Sequence, residues 1–286
     1  MFGHRSDGKE VKKASYELKA MACLMKDRVD SQVFFNQDIV VDKMDEYIKK
    51  MDEKGEKFTY LDILYAAVVR IIAERPKLNR FVINGRLYAR NIMTISLTIK
   101  QSLSDNSDDS TIKPEFTGTE TIFEVRDMLR KEIEKCKGQG NDDVTGTDKT
   151  AAALGKIPTG IYKVVINLLM WLDKHGHCPK AIIKASPFHT SCYITDVASI
   201  GINSIYHHIY NFGTTSMFFA MGKRKKSLIY EDDKIVEERC INLAFVGDER
   251  ICDGYYYANS FRKLCKYLNK PDLLEKPGER LIDPDL

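Results

Sequence analysis

The segment from Asp248 to Gly254 constrains the fold of this 286-residue chain most strongly. It reads Asp-Glu-Arg-Ile-Cys-Asp-Gly, and it lies between a predicted strand near 235–246 and a predicted final helix over about 255–268. Gly254 permits the tight turn that leads into this helix. Because acidic and basic side chains meet at this junction, with Glu249 among them, the segment is the first candidate for an active site.

Local signals in the first third of the chain predict alternating strands and helices. Residues 32–41 are rich in β-branched and aromatic side chains, which is typical of a strand. Asp42 is predicted to cap a helix that runs to about residue 54. Thr59 and Asp62 resemble a capping box that opens a helix with one buried face, and Pro76 ends that helix.

The remaining elements do not alternate regularly as strand–helix–strand units. Asn84-Gly85 lies between two apolar runs and predicts a tight hairpin. Thr121 with Glu124 predicts a second capping box and a helix to about residue 137, after a polar loop at 102–119. Further strands are predicted at 92–100, 191–197 and 215–222. Mixed strands and helices in this order favour an α+β fold.

Composition argues against a polyelectrolyte partner. Charged residues make up 30% of the chain, but the net charge is only +3. The run Lys223–Lys226 is predicted to be a solvated strand end or turn, with a phosphate-binding role toward coenzyme A left open. We therefore expect no nucleic-acid partner.

The cysteines point to a reducing compartment. There are seven, an odd number, and none forms a C-x-x-C pair. The polar, charged segment from residue 1 to 13 does not resemble a secretory signal. We therefore expect reduced thiols in a cytoplasmic protein, with no disulfides and no metal.

The most apolar helical stretch, residues 161–172, is too short to span a membrane, which takes about 20 residues. Lys163 and Asn167 interrupt it. It is predicted to be a core or subunit-interface helix, and a helix lying on a membrane surface is the alternative. No membrane span is expected.

Four separated segments resemble the catalytic domain of the acyltransferases of 2-oxo acid dehydrogenase complexes and chloramphenicol acetyltransferases. They are Met25–Val41, Arg75-Pro-Lys-Leu-Asn79, Cys192–Gly201 and Asp248–Gly254, the last followed by a helix and by Asn269–Leu274. The third is similar to the family's Phe-Thr-Ile-Ser-Asn-Leu-Gly, and the fourth to its Asp-His-Arg-x-x-Asp-Gly. On this basis residues 20–275 form the catalytic-type domain, 1–19 an N-terminal extension and 276–286 a C-terminal tail.

The resemblance implies a chloramphenicol acetyltransferase-like α+β fold, a mixed sheet with packed helices, that assembles as a homotrimer. It implies active sites between neighbouring subunits, coenzyme A or acyl-coenzyme A as a substrate, and a small-molecule acceptor. No lipoylation hairpin and no Pro/Ala-rich linker precede residue 20, so no lipoyl group is expected on this chain. A separate lipoyl protein as partner stays open.

The resemblance assigns the family's site residues to single positions of this sequence. Thr195 takes the position of the serine whose hydroxyl stabilises the oxyanion, although it is also an ordinary β-branched strand residue. Asp253 takes the position of a carboxylate that holds the active-site loop by pairing with an arginine, and Arg28 is a candidate for that arginine. Arg250 matches the arginine of the motif, and Gly254 its glycine.

Glu249 departs from the family, because the motif places a catalytic histidine there. The family's histidine removes a proton from a thiol whose ordinary pKa is about 8.5. A glutamate whose pKa is raised by burial would serve as this base. Alternatively, Glu249 is a structural carboxylate paired with Arg250 or another arginine in a site that has lost turnover.

Other histidines are weaker candidates. His207 and His208 follow the Thr195 strand but lack the Asp-Gly four residues later, so a direct role and a structural role both stay open. His189 precedes the same strand and is a minor catalytic candidate. The run His175-Gly-His177-Cys178 suggests a metal site, but it lacks a second ligand pair at suitable spacing.

Two functions from different classes remain. The first is an acyltransferase that moves an acyl group between coenzyme A, or another thiol, and an acceptor, with activity reduced or retuned by Glu249. The second is a catalytically inactive homo-oligomeric scaffold or ligand-binding homologue. The identity of the acyl group and of the acceptor does not follow from the residues.

Overall fold

The computed structural model describes residues 5–100, 109–138, 158–231 and 233–286. The strands are β1 (Gly8–Glu10), β2 (Gln32–Val40), β3 (Arg80–Ile83), β4 (Arg86–Arg90), β5 (Met93–Lys100), β6 (Asp109–Ile112), β7 (Glu115–Phe116), β8 (Cys192–Asp196), β9 (Met217–Glu231) and β10 (Lys234–Asp248). The helices are α1 (Tyr16–Leu24), α2 (Asp42–Asp52), α3 (Tyr60–Glu74), α4 (Ile122–Gly138), α5 (Thr159–Lys174), α6 (Lys180–Ala185) and α7 (Gly254–Asn269).

A mixed sheet forms the centre of the molecule. Its strand order is β2-β10-β9-β8-β5-β6, and β7 pairs with β5. The pairs β5–β8 and β8–β9 are parallel, and the other pairs are antiparallel. A smaller antiparallel sheet has the order β1-β4-β3. The α+β class is therefore as predicted.

One face of the large sheet carries the main core. Alternating apolar residues of β8, β9 and β10 point to this face, among them Ile194, Phe219 and Phe245. The helices α3, α4 and α7 pack there, and residues 62–73 of α3 are all buried. The sequence predicted one buried face for α3, but packing from several sides buries it all round.

The opposite face is crossed by an irregular stretch that we call the crossing segment (residues 202–212). Tyr206 accepts a hydrogen bond from Asn36 of β2 (2.6 Å), and the Ile202 carbonyl accepts one from the Lys223 amide (2.8 Å). Gly222 permits the close approach, since a Cβ there would lie 2.2 Å from the Ser204 nitrogen. The crossing segment thus covers the β9–β10 part of this face.

Several local predictions are confirmed. Both capping boxes form, at Thr59 and at Thr121. Asn84 and Gly85 have the positive φ values, 51° and 70°, of a tight hairpin turn between β3 and β4. Val41, rather than Asp42, is the residue that precedes α2.

Predictions of strands are less accurate where a strand pairs with a segment that is distant in the sequence. The predicted polar loop at 102–119 contains β6 and β7 in its described part, while residues 101–108 lie outside the described residues. Strands β9 and β10 are 15 residues long and form an extended hairpin. The basic run Lys223–Lys226 therefore lies inside β9 and not at its end, and Lys226 pairs with Glu237 across the hairpin.

The terminal segments that the sequence sets outside residues 20–275 pack against the domain. Strand β1 adds to β4, and Val11 is buried. At the other end, the fully buried guanidinium of Arg80 forms ion pairs with Asp283 (2.5 Å) and Asp285 (2.6 Å). Arg80 also donates to the carbonyl of Ile251 (3.3 Å), which joins the last residues of the chain to the 248–254 segment.

Within the described parts of the chain, no helix is both long enough and apolar enough to cross a membrane.

We predict that Asp283→Ala lowers the free energy of unfolding by about 3 kcal/mol, the lower end of the range for breaking a buried ion pair, because Asp285 continues to pair with Arg80. Urea unfolding followed by circular dichroism measures the change. Arg262→Met, which removes an exposed arginine of α7, is the control and should leave the midpoint unchanged. An Asp283→Ala midpoint equal to that of the control would refute the role of this pair.

Candidate active site

The 248–254 segment is the turn that joins the end of β10 to the start of α7. Asp253 is the N-cap of α7, and its carboxylate accepts a hydrogen bond from the Tyr256 amide (2.8 Å). Its side chain is exposed. Asp253 therefore fixes the start of the helix, as aspartates do at this position.

Asp248, at the end of β10, holds the segment from the inside. It is completely buried, and its two oxygens accept from Nε (2.8 Å) and Nη2 (2.7 Å) of Arg250. Its backbone carbonyl accepts from the hydroxyl of Tyr257 in α7 (2.8 Å). Asp248 thus ties together the strand end, the turn and the following helix.

Arg28 is the second arginine at this carboxylate. Its Nε lies 3.8 Å from Asp248 Oδ2, and its Nη atoms donate to the carbonyls of Tyr210 (2.9 Å), Gly213 (2.9 Å) and Val82 (3.0 Å). Burial lowers the pKa of Arg28 to about 10, and the charge of Asp248 opposes this effect. Arg28 therefore links the buried side of the 248–254 segment to the crossing segment and to β3.

The expected pairing of Arg28 with Asp253 is wrong. Asp253 is exposed at the helix start, whereas the buried carboxylate that faces Arg28 belongs to Asp248. Asp248 is not among the site residues predicted from the sequence. A signal was present, because an acidic residue ends an otherwise apolar strand two positions before Arg250. A buried charge at such a place requires a partner.

Glu249 lies between these paired charges but takes no part in their network. Its amide donates to the Ser31 carbonyl (2.9 Å), which fixes the backbone. The side chain is half-buried. Among the described residues its carboxylate has no hydrogen bond or ion pair, and Arg250 is already occupied by Asp248. The pairing of Glu249 with Arg250 is therefore not found.

Thr195 lies near the end of β8, on the sheet face opposite the main core. It is half-buried, and no hydrogen bond of its hydroxyl is present in the described part of the chain. Thr195 is opposite Ala220, which is opposite Ala244 of β10. Asp248 follows Ala244 by four residues, or roughly 14 Å along the strand, and Glu249 lies one residue further. One chain does not bring Thr195 and Glu249 together.

The two adjacent histidines belong to the crossing segment. The ring of His207 stacks on Phe218 with centroids 4.2 Å apart, and its Nδ1 is 2.9 Å from the His208 carbonyl oxygen. Burial lowers the pKa of His207, which favours the neutral ring. Phe218 is opposite both Tyr193 and Val246. His207 therefore lies over the sheet between Thr195 and the 248–254 segment, and His208 is exposed beside it.

A cavity of about 230 Å³ lies next to the segment. It is lined by residues of the α1–β2 connection, of α5 and of the crossing segment, including Lys26, Arg28, Trp171, Asn211 and Arg250. Neither Glu249 nor Thr195 lines it. The cavity is smaller than most small-molecule sites, which have about 300–1,000 Å³.

Comparisons with known proteins show which protein sequences and folds this chain is similar to. A family model for the catalytic domain of 2-oxoacid dehydrogenases acyltransferase matches residues 188–275, a range that contains both Thr195 and Glu249. No curated protein matches the sequence.

Several solved structures share the fold over most of the chain. A probable dihydrolipoamide acetyltransferase from Listeria monocytogenes has a TM-score of 0.55 at 14% identity and covers 89% of each chain. The cubic core of the pyruvate dehydrogenase multienzyme complex has a TM-score of 0.59 at 11% identity, with 90% of this chain and 88% of that chain covered. A chloramphenicol acetyltransferase has a TM-score of 0.54 at 10% identity, with 91% and 99% covered. The predicted resemblance and fold are confirmed.

The two aspartates of the segment, Asp248 and Asp253, are predicted to contribute unequally to the free energy of unfolding. Asp248→Ala should lower the free energy of unfolding by about 3–5 kcal/mol, because it leaves Arg250 and Arg28 buried without their carboxylate. Asp253→Ala should cost about 1 kcal/mol, the usual value of an N-cap. Urea unfolding of both variants measures the difference. A larger loss for Asp253→Ala would contradict the assignment of Asp248 as the residue that holds the segment.

Proposed function

We propose that this chain, with its chloramphenicol acetyltransferase-like fold, is an acyltransferase that moves an acyl group between coenzyme A, or another thiol, and a small acceptor. Glu249 acts as the general base, and Thr195 of a neighbouring subunit stabilises the oxyanion. The coenzyme is a substrate in this proposal. No metal ion takes part in the transfer.

The observation that carries this proposal is the state of Glu249. Its charged neighbours, Asp248 and Arg250, neutralise each other, while its own carboxylate is unpaired within the described residues. A structural carboxylate would be expected to use the buried arginine next to it. An unpaired carboxylate on a fixed backbone, at the position of the family's histidine, favours a functional role.

The chemistry is acyl transfer through a tetrahedral intermediate. Glu249 takes the proton of the acceptor, and the acceptor atom attacks the thioester carbonyl carbon. The Thr195 hydroxyl donates a hydrogen bond to the oxyanion that forms. When the carbon–sulfur bond breaks, Glu249 returns the proton to the departing thiolate. The reverse direction uses the same groups, with the coenzyme thiol as acceptor.

A neighbouring subunit would also tune the base. In the single chain Glu249 is half-buried, so water still reaches its carboxylate. Packing of a second subunit over it would remove this water and enclose the carboxylate together with the substrate. Assembly and catalysis would then depend on each other.

The separation of Thr195 from Glu249 supports a homotrimer with shared sites. Two regions of the surface fit such contacts, because they expose large apolar side chains. They include Ile161, Val164, Leu168 and Trp171 of α5, and Ile202, Ile205, Tyr206 and Tyr210 of the crossing segment. Contiguous apolar surface of this kind favours burial against another subunit.

The thiols support a reducing, cytoplasmic location. Five of the seven cysteines are buried, and no disulfide is found among the described residues. A separate lipoyl protein would be a suitable acyl carrier for such an enzyme, because the thiol of a lipoyl group and that of coenzyme A present similar chemistry.

A second candidate function is a catalytically inactive scaffold or ligand-binding homologue. The observation that favours it is the substitution itself, because glutamate replaces the imidazole that the family uses as base. In the dihydrolipoamide acetyltransferase from Azotobacter vinelandii, which has the same fold at 12% identity, the residues studied for the catalytic mechanism are a serine, a histidine and an asparagine. Here the corresponding residue types are threonine, glutamate and aspartate.

Glu249→Gln is predicted to lower kcat by about 10²- to 10⁴-fold, because it removes the base while keeping the size of the side chain. Thr195→Val should lower kcat by about 10²- to 10³-fold through loss of the oxyanion donor. Release of coenzyme A thiol, followed with a panel of acceptors, measures both. Glu279→Gln, at an exposed glutamate, is the matched control and should keep full activity. Coenzyme A binding with no turnover on any acceptor would instead favour the scaffold.

Subunit mixing tests the shared site directly. Trimers of Glu249→Gln alone and of Thr195→Val alone should both be nearly inactive. After they are unfolded and refolded together, roughly a quarter of the interfaces combine an intact Glu249 with an intact Thr195, so activity should return to about that level. No recovery in trimers shown by sedimentation to be mixed, or a stable monomer at every concentration, would refute a site between subunits.

A further inference from the structure

A second cluster of reactive side chains lies away from the 248–254 segment, where α5 ends. It consists of Asp173 in the last turn of α5, Cys178 just beyond it, and His189 in the segment that leads into β8. All three are buried, at 3%, 7% and 4% exposure. One ligand atom from each residue lies within 4.8 Å of the others.

The turn after α5 brings Cys178 back toward Asp173. Gly176 has a φ of 77°, a left-handed value that ends the helix. The His177 amide then donates to the Leu172 carbonyl (2.8 Å), and Pro179 starts the short helix α6. This turn places the Cys178 thiol on the inner side, whereas His177 is exposed.

The imidazole of His189 is a buried polar group without a hydrogen bond. Neither ring nitrogen makes one to any described residue, although the side chain is only 1% exposed. Its Nε2 lies 3.2 Å from Asp173 Oδ1 but is not aligned for a hydrogen bond to it. A buried polar group without a partner costs about 1–3 kcal/mol. A nitrogen and an oxygen at this distance can both be ligands of one tetrahedral ion, whose N and O ligands lie about 2.0–2.2 Å from the metal.

The charges around the cluster also fit a cation. Arg5 donates to Asp173 Oδ1 (2.8 Å) and to the Asp173 carbonyl (2.5 Å), and Asp7 binds Arg5 through both carboxylate oxygens (2.8 and 2.9 Å). Asp7 therefore neutralises Arg5, which in turn orients the carboxylate of Asp173. Carboxylates that bind metals are held in this way by outer hydrogen bonds.

The other nearby cations make their hydrogen bonds outside the cluster. Arg90 donates to the carbonyl and the hydroxyl of Thr214, and Arg28 faces Asp248 and backbone carbonyls. Lys113 donates to the backbone carbonyl of His189 and not to its imidazole. The two anionic ligands of the cluster itself, the Asp173 carboxylate and a Cys178 thiolate, favour a divalent cation.

We propose that Asp173, Cys178 and His189 bind a divalent, thiophilic metal ion, with zinc as the best fit. Thiolate sulfur, imidazole nitrogen and carboxylate oxygen are the three kinds of ligand atom that zinc takes in proteins, and a water or other small ligand completes the tetrahedron. The ion joins the end of the apolar helix α5 to the segment that enters β8, the strand of Thr195. Its role is structural, and it does not depend on the proposed acyl transfer.

The test uses the full chain purified without chelators. Elemental analysis should find about one zinc per chain. The chain stripped with EDTA should bind Co²⁺ with the near-ultraviolet charge-transfer band of a thiolate ligand. Zinc at about a hundredfold excess over its Kd should raise Tm by about 5 °C relative to EDTA. Cys178→Ser should abolish the cobalt band, and His189→Gln should weaken zinc binding at least tenfold.

Two matched variants separate this site from adventitious binding. Cys23→Ser removes the exposed thiol, and His177→Ala removes the exposed histidine beside Cys178, so both should keep one zinc per chain. Loss of zinc in either control would overturn the proposal. So would the absence of a charge-transfer band in the unsubstituted chain, a result that does not depend on whether any variant folds.

Discussion

The buried carboxylate of Asp248 is the interaction on which the arrangement of the candidate site depends. Asp248 ends β10, binds Arg250 through both oxygens and faces Arg28. Through Arg250 it reaches the Met25 carbonyl, and through Arg28 it reaches the crossing segment and the β3–β4 hairpin. Burial of three charges is costly in itself. The network fixes the relative positions of four separate parts of the chain, because all four meet at one carboxylate.

This network also explains why Glu249 stands apart. Its backbone is held by Ser31, its neighbours on both sides are paired with each other, and its side chain pairs with neither of them. Asp248, fully buried beside it, already supplies the structural carboxylate of this turn. A second structural acidic residue at position 249 is therefore not required. The half-buried Glu249 carboxylate is therefore the part of the segment that is available to another molecule or another subunit.

Local features of the fold could be predicted from the sequence, while long-range features could not. The capping boxes at Thr59 and Thr121 and the turn at Asn84-Gly85 depend on residues within a few positions of each other. By contrast, the pairing of β5 with β8 and the burial of α3 on all sides depend on distant segments. Thr195 and Glu249 were found through short motifs. The partner of Arg28 was not, because the acidic end of an apolar strand marks Asp248 as a buried charge but does not identify a partner more than 200 positions away.

The pairing of Asp283 and Asp285 with Arg80 has a consequence for the order of folding. These contacts join residues more than 200 positions apart, and Arg80 also donates to the Ile251 carbonyl. Contacts over such a separation form late, because the entropy of closing the intervening loop has to be overcome first. We therefore expect the 248–254 segment to reach its final geometry only after the sheet and its helices have formed.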